Sequence, residues 1–477
     1  MATEIKSIYS YFSSDIVFAK SENVIADDIR LNAGYYEVRN SIEIGKKLEF
    51  FPLATIATVV FPGIFKRHLT ENRKYGIKFL TTSDMMMLEP DSEKYLSFQL
   101  TPNLEIYKVE ENTLLVSRSG SIGNTIYVDN RIKHFALTED ALRVRPFQKD
   151  DMGLLYFYFT SEYGNDLITG KKSGAVIDHI YEDDLLKLKI PKLEKRVCKK
   201  LNDAYLKVKE YREEAHKIIE KARLLVVKCN NLSPLVETKI DTIATDNTTQ
   251  IRYINVKEFT TEFRLDSHFY NPIAGAALKN IQDKANRYLT LKEVTNDIVI
   301  GKRFKRNYVV SDHGTPFIGS KNIIQIRPTE LKYLSNSEIG FMSDLMLYKN
   351  MILIACSGSL GGTFGRTSFV HKNFENYAAS QHILRVIANE DVIDPGYLYA
   401  FLSSEYGYEC ITRYRWGALI DEIDDEDMGK LLIPLPSDKQ QKQIGDLVRQ
   451  AYDLRAEAIR LEDETQAVLT SSLTKNK

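Results

Sequence analysis

Ser161-Glu-Tyr-Gly164 and Ser404-Glu-Tyr-Gly407 are the same four residues set 243 positions apart (404 − 161), and the agreement continues downstream without a gap. Ile168-Thr169 answers Ile411-Thr412, and Gly174-Ala-Val-Ile-Asp178 answers Gly417-Ala-Leu-Ile-Asp421. Asp184 answers Asp427, and Lys187-Leu-Lys-Ile-Pro191 answers Lys430-Leu-Leu-Ile-Pro434. So long a match in one register is a duplication, and a repeat decides the fold before any local pattern does.

Upstream the shift changes slightly, as loop insertions require. Leu142-Arg143-Val144 answers Leu384-Arg385-Val386, and Ser119-Gly-Ser-Ile-Gly123 answers Ser357-Gly-Ser-Leu-Gly361. Both glycine loops are entered from apolar, strand-like runs (Leu114-Leu-Val and Met351-Ile-Leu-Ile). Gly63-Ile-Phe-Lys-Arg67 answers Gly301-Lys-Arg-Phe-Lys-Arg306, and Gly76-Ile-Lys-Phe79 answers Gly314-Thr-Pro-Phe317. Arg30-Leu-Asn and Tyr35-Tyr36 extend the match to Arg264-Leu-Asp and Phe269-Tyr270.

Each copy closes on a helix. After Pro191, apolar residues recur in steps of three and four from Val197 through Leu201, Tyr205, Val208, Tyr211, Ala215, Ile219 and Ala222, with neither Pro nor Gly from Leu193 to Leu232. After Pro436 the stripe returns at Ile444, Leu447, Val448, Ala451, Leu454, Ala458 and Leu461, with Ser437 and Asp438 placed to cap it. A helix of ~35 residues is a rod of roughly 50 Å. One apolar stripe on such a rod needs a partner, and the other copy provides one. Asn231 to about Thr249 is polar and reads as a linker.

Composition sets limits on class. Hydrophobic residues at 43% and charged residues at 27% describe a globular chain, neither fibrous nor disordered. The most apolar stretch, Phe51 to Phe65, is broken by Pro52 and Pro62 and is too short to span a bilayer, so no membrane segment is expected. Met1 to Lys6 has no apolar core behind a basic start, so no signal peptide is expected either. Cys198, Cys229, Cys356 and Cys410 lie far apart, which fits a reduced cytoplasmic protein. Lys+Arg 64 against Asp+Glu 65 gives a net charge of −1, so any nucleic-acid surface must be local, or partners must supply part of the field.

A duplicated α/β domain in which each copy ends on Gly-Ala-x-Ile-Asp, Ile-Pro and a long heptad helix resembles the specificity subunit of type I restriction–modification systems, a phage defence. The likeness runs from about Arg30 to the last helix. It implies an α+β, internally duplicated fold with two mixed α/β target-recognition domains separated by two long antiparallel coiled-coil helices. The implied divisions are a first target-recognition domain at 1–192, a central helix at 193–232, a linker at 233–250, a second recognition domain at 251–436 and a C-terminal helix at 437–477. The resemblance further implies that each domain reads half of a bipartite double-stranded DNA target, while the helices set the spacer and dock two methylase subunits. S-adenosylmethionine, ATP and Mg are then expected on the methylase and the restriction/translocase subunits, with no cofactor, no metal and no catalytic residue in this chain. A specificity subunit of a fused methylase–nuclease system, or a coiled-coil scaffold with two protein-binding heads, are the alternatives.

Candidate DNA contacts follow from residue type. Lys66 and Arg67 after Phe65, and Lys302, Arg303, Lys305 and Arg306 around Phe304, combine cations with an aromatic; Lys and Arg mostly hold phosphates, and Arg also reads guanine edges. Arg118, Ser119 and Ser121, with Ser357 and Ser359, lie on glycine turns whose N–H groups can converge on a phosphate. Ser83, and Ser320, Lys321 and Asn322, differ between the copies and suit base edges. Gly164 to Ser173 approaches a nucleotide loop, but five residues separate its glycines and Lys172 follows Lys171, so an ATP site is rejected. What the copies share there is charge, Lys171 and Lys172 against Arg413 and Arg415, suited to backbone contact. Eight scattered histidines show no metal spacing, no Pro-Pro-Tyr methylase motif occurs, and Pro90-Asp-Ser-Glu-Lys94 reads as a surface turn. An enzyme would need the same catalytic groups in each copy. The polar residues repeated faithfully, Glu162, Asp178, Asp184 and Lys187 with their counterparts, sit at element boundaries instead.

Overall fold

The computed structural model describes residues 48–70, 73–170, 178–235, 243–244, 250–251, 256, 259–260, 263–338 and 343–474. Arg30, Tyr35, Tyr36, Lys171, Lys172 and Gly174 to Ile177 therefore lie outside the described residues. The chain divides into two compact units. The first is made of residues up to Met85, Lys94–Lys209 and Arg460 onward; the second is made of Met86–Glu93 and Glu210–Ile459.

Both units contain the same two sheets. In the first unit one sheet is ordered Ala57–Val60, Ala141–Pro146, Leu114–Ser117, Thr125–Tyr127, all antiparallel. Its inner strand Leu114–Ser117 is buried at every position, which is why it is a continuous apolar run, whereas the edge strand Ala57–Val60 alternates. The other sheet is ordered Leu69–Thr70, Tyr95–Ser97, Gly76–Leu80, Ala136–Leu137, the last pair parallel. The second unit repeats both orders, with Thr295–Ile300, Ile383–Ala388, Ile352–Ala355, Thr367–Phe369 and with Tyr308–Val309, Lys332–Ser335, Gly314–Ile318, Ala378–Ala379. The Ile-Pro endings pair with short strands of their own copy, Lys189–Pro191 with Phe50–Pro52 and Leu432–Pro434 with Tyr288–Thr290.

The Ser-Glu-Tyr-Gly signature has a packing cause. Ser161 and Ser404 cap the helices Glu162–Thr169 and Glu405–Arg413, accepting the N–H of Gly164 at 3.0 Å and of Gly407 at 3.3 Å. Each glycine then lies against the end of the preceding helix, so close that a Cβ would fall 1.8 Å from the Tyr158 carbonyl oxygen or 2.3 Å from that of Phe401. Gly407→Ala is expected to cost ~1–3 kcal/mol through overpacking, seen as a lower urea midpoint with an unchanged m-value. An unaltered midpoint would refute this close-contact account.

The central helix runs Lys195–Cys229 and the C-terminal helix Asp438–Thr474. At the start of the latter, Gln440 Oε1 accepts the Ser437 N–H at 3.1 Å and the Ser437 hydroxyl at 2.8 Å, which is one half of a capping box. In the second unit Ala215, Ile218, Ile219, Ala222 and Val226 share one core with Ile444, Val448, Ala451 and Tyr452. The pairing is antiparallel: Cys229 meets Gln440, while His216 and Arg455 meet the same carboxylate, that of Glu89. In the first unit Tyr205 of the central helix packs on Tyr127 and Tyr156, and the Tyr156 hydroxyl donates to Glu462. A mixed, duplicated fold with two long helices is thus present as expected. Among the described residues no helix is long and apolar enough to cross a membrane.

The expected surface turn after Pro90 is corrected by the structure. Met86–Glu93 belongs to the second unit, where Met87 joins a core with Ile323 and Leu353 and Ser92 is buried. Asp91 pairs with Arg366 at 3.1 Å, and Glu89 lies between His216 and Arg455. Its acidic residues serve as anchors because buried guanidinium groups face them. Ligand atoms of Glu89, His216 and Glu220 lie within 4.8 Å of one another, but Arg455 and Arg223 already supply positive charge there.

Candidate nucleic-acid interface

The cation-and-aromatic pairs form the same corner in both units. Phe65 meets Phe79 edge-on at 6.2 Å, and the Arg67 guanidinium lies 5.3 Å from the Phe79 ring. Phe304 meets Phe317 edge-on at 6.5 Å, and the Arg306 guanidinium lies 5.1 Å from that ring. A planar, weakly hydrated guanidinium stacks readily on a ring, which fixes its direction while its N–H groups stay available. Lys66, Lys302, Arg303 and Lys305 are exposed beside these corners.

The arginines then find different partners. Arg67 forms an ion pair with Glu139 at 3.0 Å and donates to Thr138 Oγ1 at 3.3 Å. Arg306 donates to the neutral Gln381 side chain, whose amide also meets His382 Nε2 at 2.9 Å. Burial, then Arg306 and Arg303, lower the His382 pKa, against the nearby Glu422, which raises it. Ser320 donates to the His382 carbonyl at 2.9 Å. Asn322 is used internally: its Oδ1 accepts the Gly319 N–H at 3.0 Å, and its amide donates to the Thr329 carbonyl at 3.1 Å. Lys321 and Ser83 are exposed.

Both serine–glycine loops are hairpin turns, as expected. Gly123 N–H reaches the Ser117 carbonyl at 3.0 Å, and Gly365 N–H reaches that of Ala355 at 2.9 Å. Both glycines have positive φ, +85° and +73°. The structural counterpart of Gly123 is therefore Gly365 and not Gly361, so the second loop is longer, which accounts for the change of shift. Ser119, Ser121 and Ser357 are half-buried, and Ser359 is exposed. Ser119 pairs with His179 as Ser357 pairs with Glu422. The Leu360 N–H, a candidate phosphate donor, is held by the Asp421 carboxylate at 2.9 Å. Asp421 is thus a loop anchor.

Three expected surface cations are placed differently. Arg413 is buried, its guanidinium 4.0 Å from the Phe269 ring, because it continues the buried face of Tyr406 and Cys410 on its helix. Arg118 is buried between Phe61, at 4.4 Å, and Tyr181, at 5.5 Å. Arg415 is spent on Asp421 at 3.0 Å. Sequence reading missed the pair Arg143 and Arg385, buried mid-strand in equivalent places. A cation inside an apolar strand in both copies was the available signal.

Residues 283–464 match the family described as the type I restriction modification DNA specificity domain. The second repeat is similar to a DNA specificity domain. Its matched span holds the Arg306 corner, the longer hairpin and most of the C-terminal helix. Solved structures similar to the whole chain include the type I restriction–modification S subunit from M. genitalium, at 15% identity, 90% coverage of this chain and 96% of that one, with a TM-score of 0.31. The HsdS subunit from Thermoanaerobacter tengcongensis is 13% identical over 92% of this chain and 100% of its own, with a TM-score of 0.27. The type IIG restriction endonuclease BpuSI is 12% identical over 47% of this chain and 36% of its own, with a TM-score of 0.29. No curated protein matches. The first repeat builds the same two sheets and the same corner as the matched span, with different polar residues around the arginine.

Proposed function

We propose that this specificity chain reads a bipartite DNA target, one half-site per repeat, and works without catalytic groups of its own. The observation that carries this is the matching corner: a ring-held arginine occurs at equivalent places in both repeats, while its neighbours differ (Thr138 and Glu139 against Ser380 and Gln381). A shared anchor with unlike surroundings suits two readers of two sequences, since phosphate contacts position a protein and variable polar groups specify bases. The long paired helices are the element on which modification subunits dock, and the spacing between half-sites follows from their length. S-adenosylmethionine, ATP and Mg belong to those partners and to the restriction subunits, in the cytoplasm of a prokaryotic cell.

Selection from a random duplex pool, with the chain and its modification subunits, is expected to return two short elements around an unread spacer. One continuous element would overturn the bipartite reading. Titration calorimetry of the chain alone is expected to detect neither S-adenosylmethionine nor ATP, and micromolar binding of either would end the non-catalytic assignment.

A further inference from the structure

The duplication supplies an internal control at the arginine corner. The sheets align Ala136–Leu137 with Ala378–Ala379 and Ala141–Pro146 with Ile383–Ala388, so Glu139-Asp140 of the first repeat stands where Gln381-His382 stands in the second. Two carboxylates in one copy are replaced by an amide and an imidazole in the other.

Beneath each corner lies the buried arginine of the inner strand. Arg143 has Glu139 nearby, and its guanidinium donates to the carbonyls of Ala141 at 3.2 Å, Tyr107 at 3.4 Å and Leu137 at 3.5 Å. Arg385 donates to the Asp344 carbonyl at 2.7 Å through Nη1, while its Nε and Nη2 have no hydrogen-bond partner among the described residues. It is only 1% exposed. Its Nη2 lies against Gly301, the residue that opens the cation run, where a Cβ would come within 2.8 Å. Gln381 Cα is close to the same point, at 3.6 Å. Burying a cation is costly unless an anion offsets it. Asp344 acts on Arg385 and Glu422 on His382, but among the described residues neither forms with Arg306 the ion pair that Glu139 forms with Arg67.

Resting on the DNA-recognition reading, we propose that the second repeat holds a DNA backbone phosphate at the corner of Arg303, Arg306, Gln381 and His382, above Arg385, and that the first repeat holds none there. The phosphate occupies the electrostatic place that Glu139 fills in the first copy. Arg306, fixed on Phe317 and paired among the described residues with an amide, keeps its full charge for that contact, whereas Arg67 is neutralised by Glu139. The two halves therefore grip DNA unequally: one corner contributes a salt-sensitive phosphate contact and the other does not.

The test compares full-length chains in binding to duplex DNA between about 50 and 200 mM salt, where each phosphate contact adds about 0.9 to the slope of log K against log salt. Gln381→Glu copies the first repeat's carboxylate into the second and is expected to flatten the slope by about 1. Glu139→Gln is expected to leave the slope unchanged or steepen it, because it frees Arg67. An unchanged slope for Gln381→Glu, or a flatter one for Glu139→Gln, overturns the proposal. If Gln381→Glu melts below the parent chain, Arg306→Gln decides instead: a slope lower by about 1 supports the pocket, and an unchanged slope removes it. Failure of the unaltered chain to bind duplex DNA at low salt would strike the DNA reading itself and not the placement of the phosphate.

Discussion

Changing Lys302, Arg303, Lys305 and Arg306 together to Ala is expected to lower DNA affinity by roughly one to two orders of magnitude near 100 mM salt and to flatten the salt slope by up to ~3.6. Lys302, Arg303 and Lys305 are exposed, and Arg306 is held on Phe317 with its N–H groups directed at a neutral amide. Four cations on one short segment are the densest local positive charge in a chain whose net charge is only −1, so this segment carries more of the electrostatic grip than a random surface patch. The loss should fall on recognition of one half-site. Lys66→Ala with Arg67→Ala should affect the other half-site, and by less, because Glu139 already offsets Arg67. Anisotropy titrations across a salt series would measure both. Equal losses at both half-sites, or none, would remove these segments from the interface.

The second large effect concerns stability. Glu89→Ala is expected to destabilise the second unit by ~3–5 kcal/mol, since it leaves the buried Arg455 and its neighbour Arg223 without their shared carboxylate. Burial pushes the Glu89 carboxyl up, but Arg455, His216 and Arg223 outweigh it and hold the pKa at about 2. That is below the 4.5 of a free glutamate, so the ionised form stabilises the folded state above pH 4.5, and this contribution is lost as pH falls from 4.5 toward about 2. A Glu89→Gln chain should start less stable at pH 7 and lose less on acidification. Urea unfolding at a series of pH values reads both quantities. Parallel stability–pH curves for the two chains would show that Glu89 is not the group responsible.

The duplication, the two long helices and the hairpin loops were legible because their causes are local. Ser161 caps its helix through the N–H of Gly164, three residues ahead, and Gly164 and Gly407 admit no side chain, so both copies keep the same letters. The heptad stripe likewise declares itself within one helix. Glu89 was illegible because His216 and Arg455 are distant in sequence, and an acidic triplet beside Pro90 has the composition of a turn whether it anchors or not. Arg413 was misread through its charge, although its spacing from Tyr406 and Cys410 already placed it on the buried face. The matching of Gly361 to Gly123 failed because letters within a glycine-rich loop repeat themselves, whereas the backbone bonds that close it identify Gly365. The decisive difference at the arginine corner, Glu139 against Gln381, lies within the aligned sequence. It acquires meaning only when Arg67 and Arg306 are seen facing those positions.

The two long helices are shared between the units in opposite order. The first half of the central helix belongs to the first unit and its second half to the second, while the C-terminal helix begins in the second unit and ends, from Arg460, in the first. Synthesis on the ribosome therefore cannot finish the first unit first. At ~5–20 residues per second, the interval between the emergence of Lys209 and of Arg460 is roughly ten seconds to a minute. During it the tyrosine cluster of Tyr127, Tyr156 and Tyr205 lacks the helix that bears Glu462, the acceptor of the Tyr156 hydroxyl. The earliest-made part of the protein must wait for one of the last-made, and a nascent chain stalled before Arg460 displays an aromatic surface of the kind that chaperones hold.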